Sequence, residues 1–73
     1  MVNPDQIKPD MEVVGNDGEF VGIVDGIENG IELRLKSGTG DGMRHFLPLA
    51  TVEFVDQRVH LNRTSIRAMV EWR

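Results

Sequence analysis

His45 and His60 are the two histidines of a 73-residue chain that contains no cysteine. Two imidazoles are half of a metal site, and Glu53 or Asp56 would have to complete it. Both histidines fall on predicted strands that could lie side by side. Their spacing follows no metal-ligand pattern, however, and His60 stands between Val59 and Leu61. Side chains alternate along a strand, so if those two point inward the imidazole points to solvent. The expectation is no metal. The missing cysteines exclude disulfides and thiolate sites, and make a reducing compartment the default.

Other groups with chemical potential read the same way. SGTGDG, Ser37 to Gly42, could cradle a phosphate with its backbone N–H groups. A P-loop would continue with Lys and Ser/Thr into a helix, whereas Met43-Arg44-His45 continue here into a strand. Arg44 could still meet an anion, but glycine at these positions mainly supplies positive φ to a hairpin loop. Ser37 and Ser65 have no nearby base, and Ser65 suits a helix N-terminus. The carboxylates fall on turns and solvent-facing positions, where nothing raises a pKa toward general-acid work. No catalytic residue, cofactor or metal ligand is therefore assigned, and the chain reads as non-enzymatic.

Small barrels often bind nucleic acid, and Arg58, Arg63, Arg67 and Arg73 could form a local basic edge. Against that stand a net charge of −4 and only three Phe and one Trp, where such surfaces are basic and aromatic. RNA binding is kept as the alternative reading. The charge is uneven: residues 1–33 carry eight acids and one base, and residues 34–73 four acids and seven bases. Strands from both halves interleave in a small sheet, so a mixed solvated surface is expected ahead of two opposed faces meeting across copies.

The elements that must position these groups follow from glycine. In DGEFVGIVDGIENG a glycine recurs at Gly18, Gly22, Gly26 and Gly30. Four glycines would cost a helix about 3–4 kcal/mol relative to alanine, and Val, Ile and Phe between them favour strand. Asp17-Gly18 and Asn29-Gly30 are hairpin signals, because type I′ turns need positive φ at both central residues. They bracket one strand, 19–28. Gly22 and Gly26 inside it predict a bend near Gly22 that brings Val21 and Val24 both to the core. Such bending lets a short sheet curl toward closure.

Around that strand the sequence predicts one helical turn at 4–7, a turn at Lys8-Pro9-Asp10, and strands at 11–14, 31–36, 43–49, 51–55 and 59–61. A helix at 65–72 follows, capped by Asn62 or Thr64, with Ile66, Met69 and Val70 on one side and Arg73 at its C-terminal end. Hydrophobic residues at 40% and charged residues at 27% place the chain among globular domains, and its length makes residues 1–73 one domain. MVNPDQIKPD carries no basic segment leading into an apolar run, so no signal peptide is expected. Nothing approaches a membrane span. The setting read from these features is cytoplasmic.

Ile7-x-x-x-Met11-x-Val13, then Gly18-x-x-Val21-Gly22-x-Val24-Asp25, resembles the PRC-barrel superfamily, with its glycine–hydrophobic–glycine–x–valine signature on an early hairpin. The whole chain resembles a short bacterial family of unknown function related to it, through MEVVGNDGEFVGIVDGI, HFLPLATV and VHLNRTS. That resemblance implies a mostly β fold: a small SH3-like antiparallel barrel of five or six strands, closed or partly open, with one short C-terminal helix. PRC-barrel domains elsewhere serve as docking modules, in a photosynthetic reaction-centre subunit and in a ribosome maturation factor, without catalytic residues in the barrel. Neither specific role transfers. The leading expectation is a protein-interaction or oligomerisation module, with a protein partner or a second copy as in a homodimer, and no membrane insertion. Phe20, Phe54 and Trp72 are the apolar residues a thin core has least room for; Trp72 reads either as a lid on the barrel or as a contact to another chain.

Overall fold

The computed structural model describes residues 3–36 and 44–73. The Ser37–Gly42 loop, and Met43 at the head of a predicted strand, lie outside the described residues. Within them the chain forms β1 (Glu12–Val14), β2 (Phe20–Glu28), β3 (Glu32–Leu35), β4 (His45–Pro48), β5 (Val52–Val55), β6 (Val59–Leu61) and α1 (Ser65–Glu71). Single 3-10 turns stand at Pro4–Gln6 and Leu49–Thr51.

The order across the sheet is β4-β3-β2-β1-β6-β5. The ladder is open between β4 and β5, which the Leu49–Thr51 turn joins without hydrogen-bonded pairing. One pairing departs from the antiparallel expectation: β1 and β6 run parallel, with Val13 opposite Val59 and Val14 opposite His60. Parallel neighbours need a long connection, and β2 to β5 supply it.

β2 holds the two halves together. Phe20, Gly22 and Ile23 pair with β1, while Val24 to Glu28 pair with β3. The register slips twice, once so that Val21 is the extra residue between Phe20 and Gly22, and again at Asp25 between Val24 and Gly26. Bulges of this kind bend a strand and re-aim its side chains. Val21 and Val24, three apart, are therefore both buried, as the bend near Gly22 predicts. Gly26 has a further use: a Cβ there would lie 2.8 Å from Arg34 Nη2. The missing side chain lets the guanidinium lie across the strand, with Nε donating to Asp25 Oδ2 at 2.9 Å and Nη1 to Glu28 Oε1 at 3.3 Å.

The Asn29-Gly30 turn has both central residues at positive φ, 54° and 72°, and Ile31 N donates to Glu28 O at 3.1 Å. The Asp17-Gly18 turn differs from the type I′ expectation. It spans Gly15 to Gly18, closed by Gly18 N to Gly15 O at 3.0 Å, and only Gly18 has positive φ. The reason lies in the Asp17 side chain, whose Oδ1 accepts from Glu19 N at 3.2 Å and from Ser65 N at 3.3 Å.

Ile7, Val13, Val21, Val24, Leu33, Leu35, Leu47, Leu49, Val52, Val59, Leu61 and Ala68 make one core, against which Met11, Ile27, Val55 and Trp72 pack. The sequence groups Ile66, Met69 and Val70 on one side of the helix, and the structure turns that side outward: Ser65 and Ala68 are buried and those three are exposed. The approach to the sheet is close. Gly15, at the end of β1, sits so near the start of α1 that a Cβ would lie 2.4 Å from Ser65 N and 2.9 Å from Thr64 C. The start of the helix is thereby held against the β1–β2 turn, with Ser65 and Ala68 its buried residues. Thr64 Oγ1, accepting from Arg67 N at 3.2 Å, caps it.

Asp17 locks the same junction, with Ser65 Oγ donating to its Oδ2 at 3.3 Å. Desolvation pushes its carboxyl up, but the N–H groups of Glu19 and Ser65 outweigh this and hold it below the usual aspartate range. A lowered folded-state pKa contributes stability above the unfolded value, and that stability is lost as pH falls through the lowered one. Asp17→Asn is therefore expected to unfold at lower urea than wild type near neutrality, with the two midpoints converging below about pH 4. A constant gap down to acid pH would remove Asp17 from the acid response.

Candidate functional site

The sequence-predicted groups come out as separate structural pairs. His45 on β4 stacks on Trp72, with ring centroids 3.9 Å apart and planes 11° from parallel. His60 on β6 stacks on Phe54 at 4.2 Å and shares a 2.9 Å hydrogen bond between its Nε2 and Asp56 Oδ1. β4 and β6 are separated by three strands in the sheet order, so the histidine strands are not neighbours, contrary to expectation. Sequence distance could not reveal this, because it depends on β6 pairing with β1. Among the described residues no group of three or more His, Asp or Glu is placed to hold a metal ion. The backbone N–H of Arg58 holds Asp56 below the usual carboxylate range, against desolvation and with help from His60.

Ser65 opens α1, as predicted, and its hydroxyl is spent on Asp17. Arg44 pairs within the chain, with the Asp25 carboxylate at 3.3 Å, which it shares with Arg34. The four arginines of the predicted basic edge are all ion-paired, two of them to one shared carboxylate. Arg58 Nε lies 3.0 Å from Glu12 Oε1, Arg67 Nε lies 3.3 Å from Glu71 Oε2, Arg63 pairs with the same Glu71, and Arg73 pairs with Glu32. Hydrogen bonding from Arg63 holds the Glu71 carboxyl below its usual range, against desolvation and with Arg67 adding to the effect.

The C-terminal residues form a clip. Arg73 exchanges both backbone hydrogen bonds with Phe46, each 3.0 Å, and so adds one rung to the outer edge of β4. Its guanidinium lies 5.9 Å from the Phe46 ring centroid. Trp72, half-buried, packs against the core and on His45, which is the lid geometry. Beside the clip is a shallow open groove of about 660 Å³, lined by Ile31, Pro48, Leu49 and Ala50 among others, with Glu32 and Arg73 at its side.

The surface least explained by packing is the outer face of α1. Ile66 is 73% exposed, Val70 77% and Met69 38%. Phe54 is also exposed, but His60 covers one face of its ring. Residues at i, i+3 and i+4 share one side of a helix, so these three form a continuous apolar stripe turned away from the core. Sequence reasoning grouped these three on one side of the helix without assigning that side to core or solvent. The signal that could have decided it is the Ser65–Ala68 pair, two small residues three apart, which is what a helix needs to sit close on a backbone.

Residues 7–69 match a family of uncharacterized proteins conserved in bacteria, DUF2171. The chain belongs to this family. No curated protein matches it. In this DUF2171 domain the matched span begins at the core residue Ile7 and contains all six described strands and the exposed Ile66 and Met69. The Trp72-Arg73 clip follows the match. Among the described residues no helix is long and apolar enough to cross a membrane.

Proposed function

We propose that this DUF2171 domain is a non-enzymatic protein-interaction module of PRC-barrel-like architecture that makes its contacts through the outer face of α1. The observation that carries the reading is the outward stripe of α1, which places its larger apolar side chains in solvent while Ser65 and Ala68 go inward. Exposing a contiguous apolar stripe is unfavourable for a lone domain, and such patches mark contact surfaces. The chemically capable groups support a non-catalytic reading, because Asp17, Asp25, Asp56, Ser65 and the arginines are committed to structural partners. A cysteine-free composition fits work in the cytoplasm.

The test uses Ile66→Glu/Val70→Glu, two outward substitutions that leave the core intact. The variant is expected to keep the wild-type circular dichroism spectrum and to unfold within about 1 kcal/mol of wild type. It should lose concentration-dependent association in sedimentation velocity, and lose proteins that wild type retains from a bacterial lysate. Identical behaviour of wild type and variant in both measurements would remove α1 as a contact surface.

A further inference from the structure

We propose that the outer edge of β4 is a strand-addition site. The chain's own Trp72 and Arg73 fill it in cis, and its ligand in trans is an extended peptide with an apolar, an aromatic and a basic residue in succession. This surface is separate from the outer face of α1, and the inference does not depend on that face.

The segment seated on the edge shows what the edge takes. Phe46 turns both backbone groups outward, and Arg73 meets them, N–H to O in each direction at 3.0 Å. Mutual exchange of this kind is an antiparallel hydrogen-bonded pair. Pro48, two residues on, has no N–H, and its carbonyl accepts from Thr51 Oγ1 at 2.7 Å. From His45 to Pro48 the edge therefore offers a further strand one complete donor–acceptor pair, at Phe46. Main-chain bonds give such a site its affinity, and side chains to either face give it specificity. Trp72 stacks on His45 with ring centroids 3.9 Å apart. Arg73 pairs with Glu32, and its guanidinium lies 5.9 Å from the Phe46 ring centroid.

The antiparallel register extends one step further. A residue two before the arginine falls opposite Pro48, beside the groove walled by Ile31, Pro48 and Leu49. In the clip that position is Glu71, which ends α1 and pairs with Arg63 and Arg67 instead. A peptide that stays extended there lays an apolar side chain along the groove, a contact the clip lacks. The clip itself is lightly held. Beyond the last helical bond, Trp72 N to Ala68 O at 2.9 Å, one backbone rung secures Arg73, whose side chain is 68% exposed. Peripheral bonds of this sort open far below the free energy of global unfolding.

Trp72→Ala/Arg73→Pro opens the clip in the full chain. The position of Trp72 has φ −69° and ψ 156°, which a following proline accepts, and proline brings no N–H to Phe46. The probe is the end-blocked peptide Ala-Leu-Trp-Arg-Ala, titrated into isotope-labelled protein and followed by amide NMR. The opened variant should bind it with a dissociation constant on the order of 1 mM, with the largest shifts at Phe46 and its β4 neighbours. Wild type should bind about tenfold more weakly, because only its open fraction is competent. Glutamate in place of the peptide's arginine should cost about tenfold. Adding Glu32→Arg to the opened variant should reverse that preference, a result that loss of folding cannot imitate. If the double variant loses the wild-type circular dichroism spectrum, Arg73→Pro alone keeps the Trp72 lid, frees the Phe46 rung and should still bind better than wild type. Absence of shifts at about 10 mM peptide, equal binding by wild type and opened variant, or shifts centred away from β4 overturns the proposal. The α1 reading is judged separately, by Ile66→Glu/Val70→Glu.

Discussion

Gly15→Ala is expected to lower the stability of the domain by about 2–3 kcal/mol, although it adds a single methyl group and creates no positive-φ strain. The added Cβ would stand 2.4 Å from Ser65 N, 2.6 Å from Asp17 Oδ1 and 2.9 Å from Thr64 C. Two of those atoms belong to backbone, so no rotamer change relieves the clash. Relief requires α1 to lift from the β1–β2 turn, which withdraws Ala68 from the core and breaks the Asp17–Ser65 hydrogen bonds. A domain of this length has a total stability of about 4–10 kcal/mol, so the loss takes a large share. In urea, where small domains respond by roughly 1 kcal/mol per molar, the midpoint should fall by about 2 M. Gly15→Val should be worse still. A midpoint unchanged by Gly15→Ala would mean that the start of α1 is not held against Gly15.

Leu33→Ala should cost about 2–5 kcal/mol through lost burial and the cavity left behind. Leu33 is 0% exposed and stands at the centre of β3, paired to Ile27 of β2 on one side and Leu47 of β4 on the other. In the sheet β3 stands between β2 and β4, so the surroundings can collapse only by moving strands. The expected fall in melting temperature is on the order of 15 °C, since each kcal/mol shifts a domain of this size by roughly 4–8 °C. Ile31→Ala, two residues away and 66% exposed, is the control and should change little. Equal effects at the two positions would show that the described core is not where the stability resides.

The two predictions differ in how visible their sites were beforehand. Leu33 sits in the alternation Ile31, Leu33, Leu35 against Glu32, Arg34, Lys36, which marks a half-buried strand without reference to the rest of the chain. The alternation places Leu33 and Leu35 correctly but also predicts an inward Ile31, which lies in the Asn29–Gly30 turn and is exposed. Gly15 carried no such signal. Its neighbour in space, Ser65, is far away in sequence, and a glycine between Val14 and Asn16 looks like ordinary turn chemistry. The histidines make the same point: alternation correctly sends Val59 and Leu61 inward, yet no local pattern says that β6 pairs with β1 and leaves His60 remote from β4.

What the chain determined by itself is therefore local: the Asn29-Gly30 turn, the strand with two interior glycines that bends so Val21 and Val24 both reach the core, the alternating strands, and a capped helix after Asn62. These depend on backbone sterics and side-chain period within a few residues. Tertiary structure alone decided the parallel β1–β6 pairing, the Arg73 rung on β4, and which side of α1 meets the core. A helix with apolar residues on one side and small ones on another has two ways to pack. In the folded chain the start of α1, at Thr64 and Ser65, lies against Gly15, Ala68 enters the core, and Ile66, Met69 and Val70 are left in solvent.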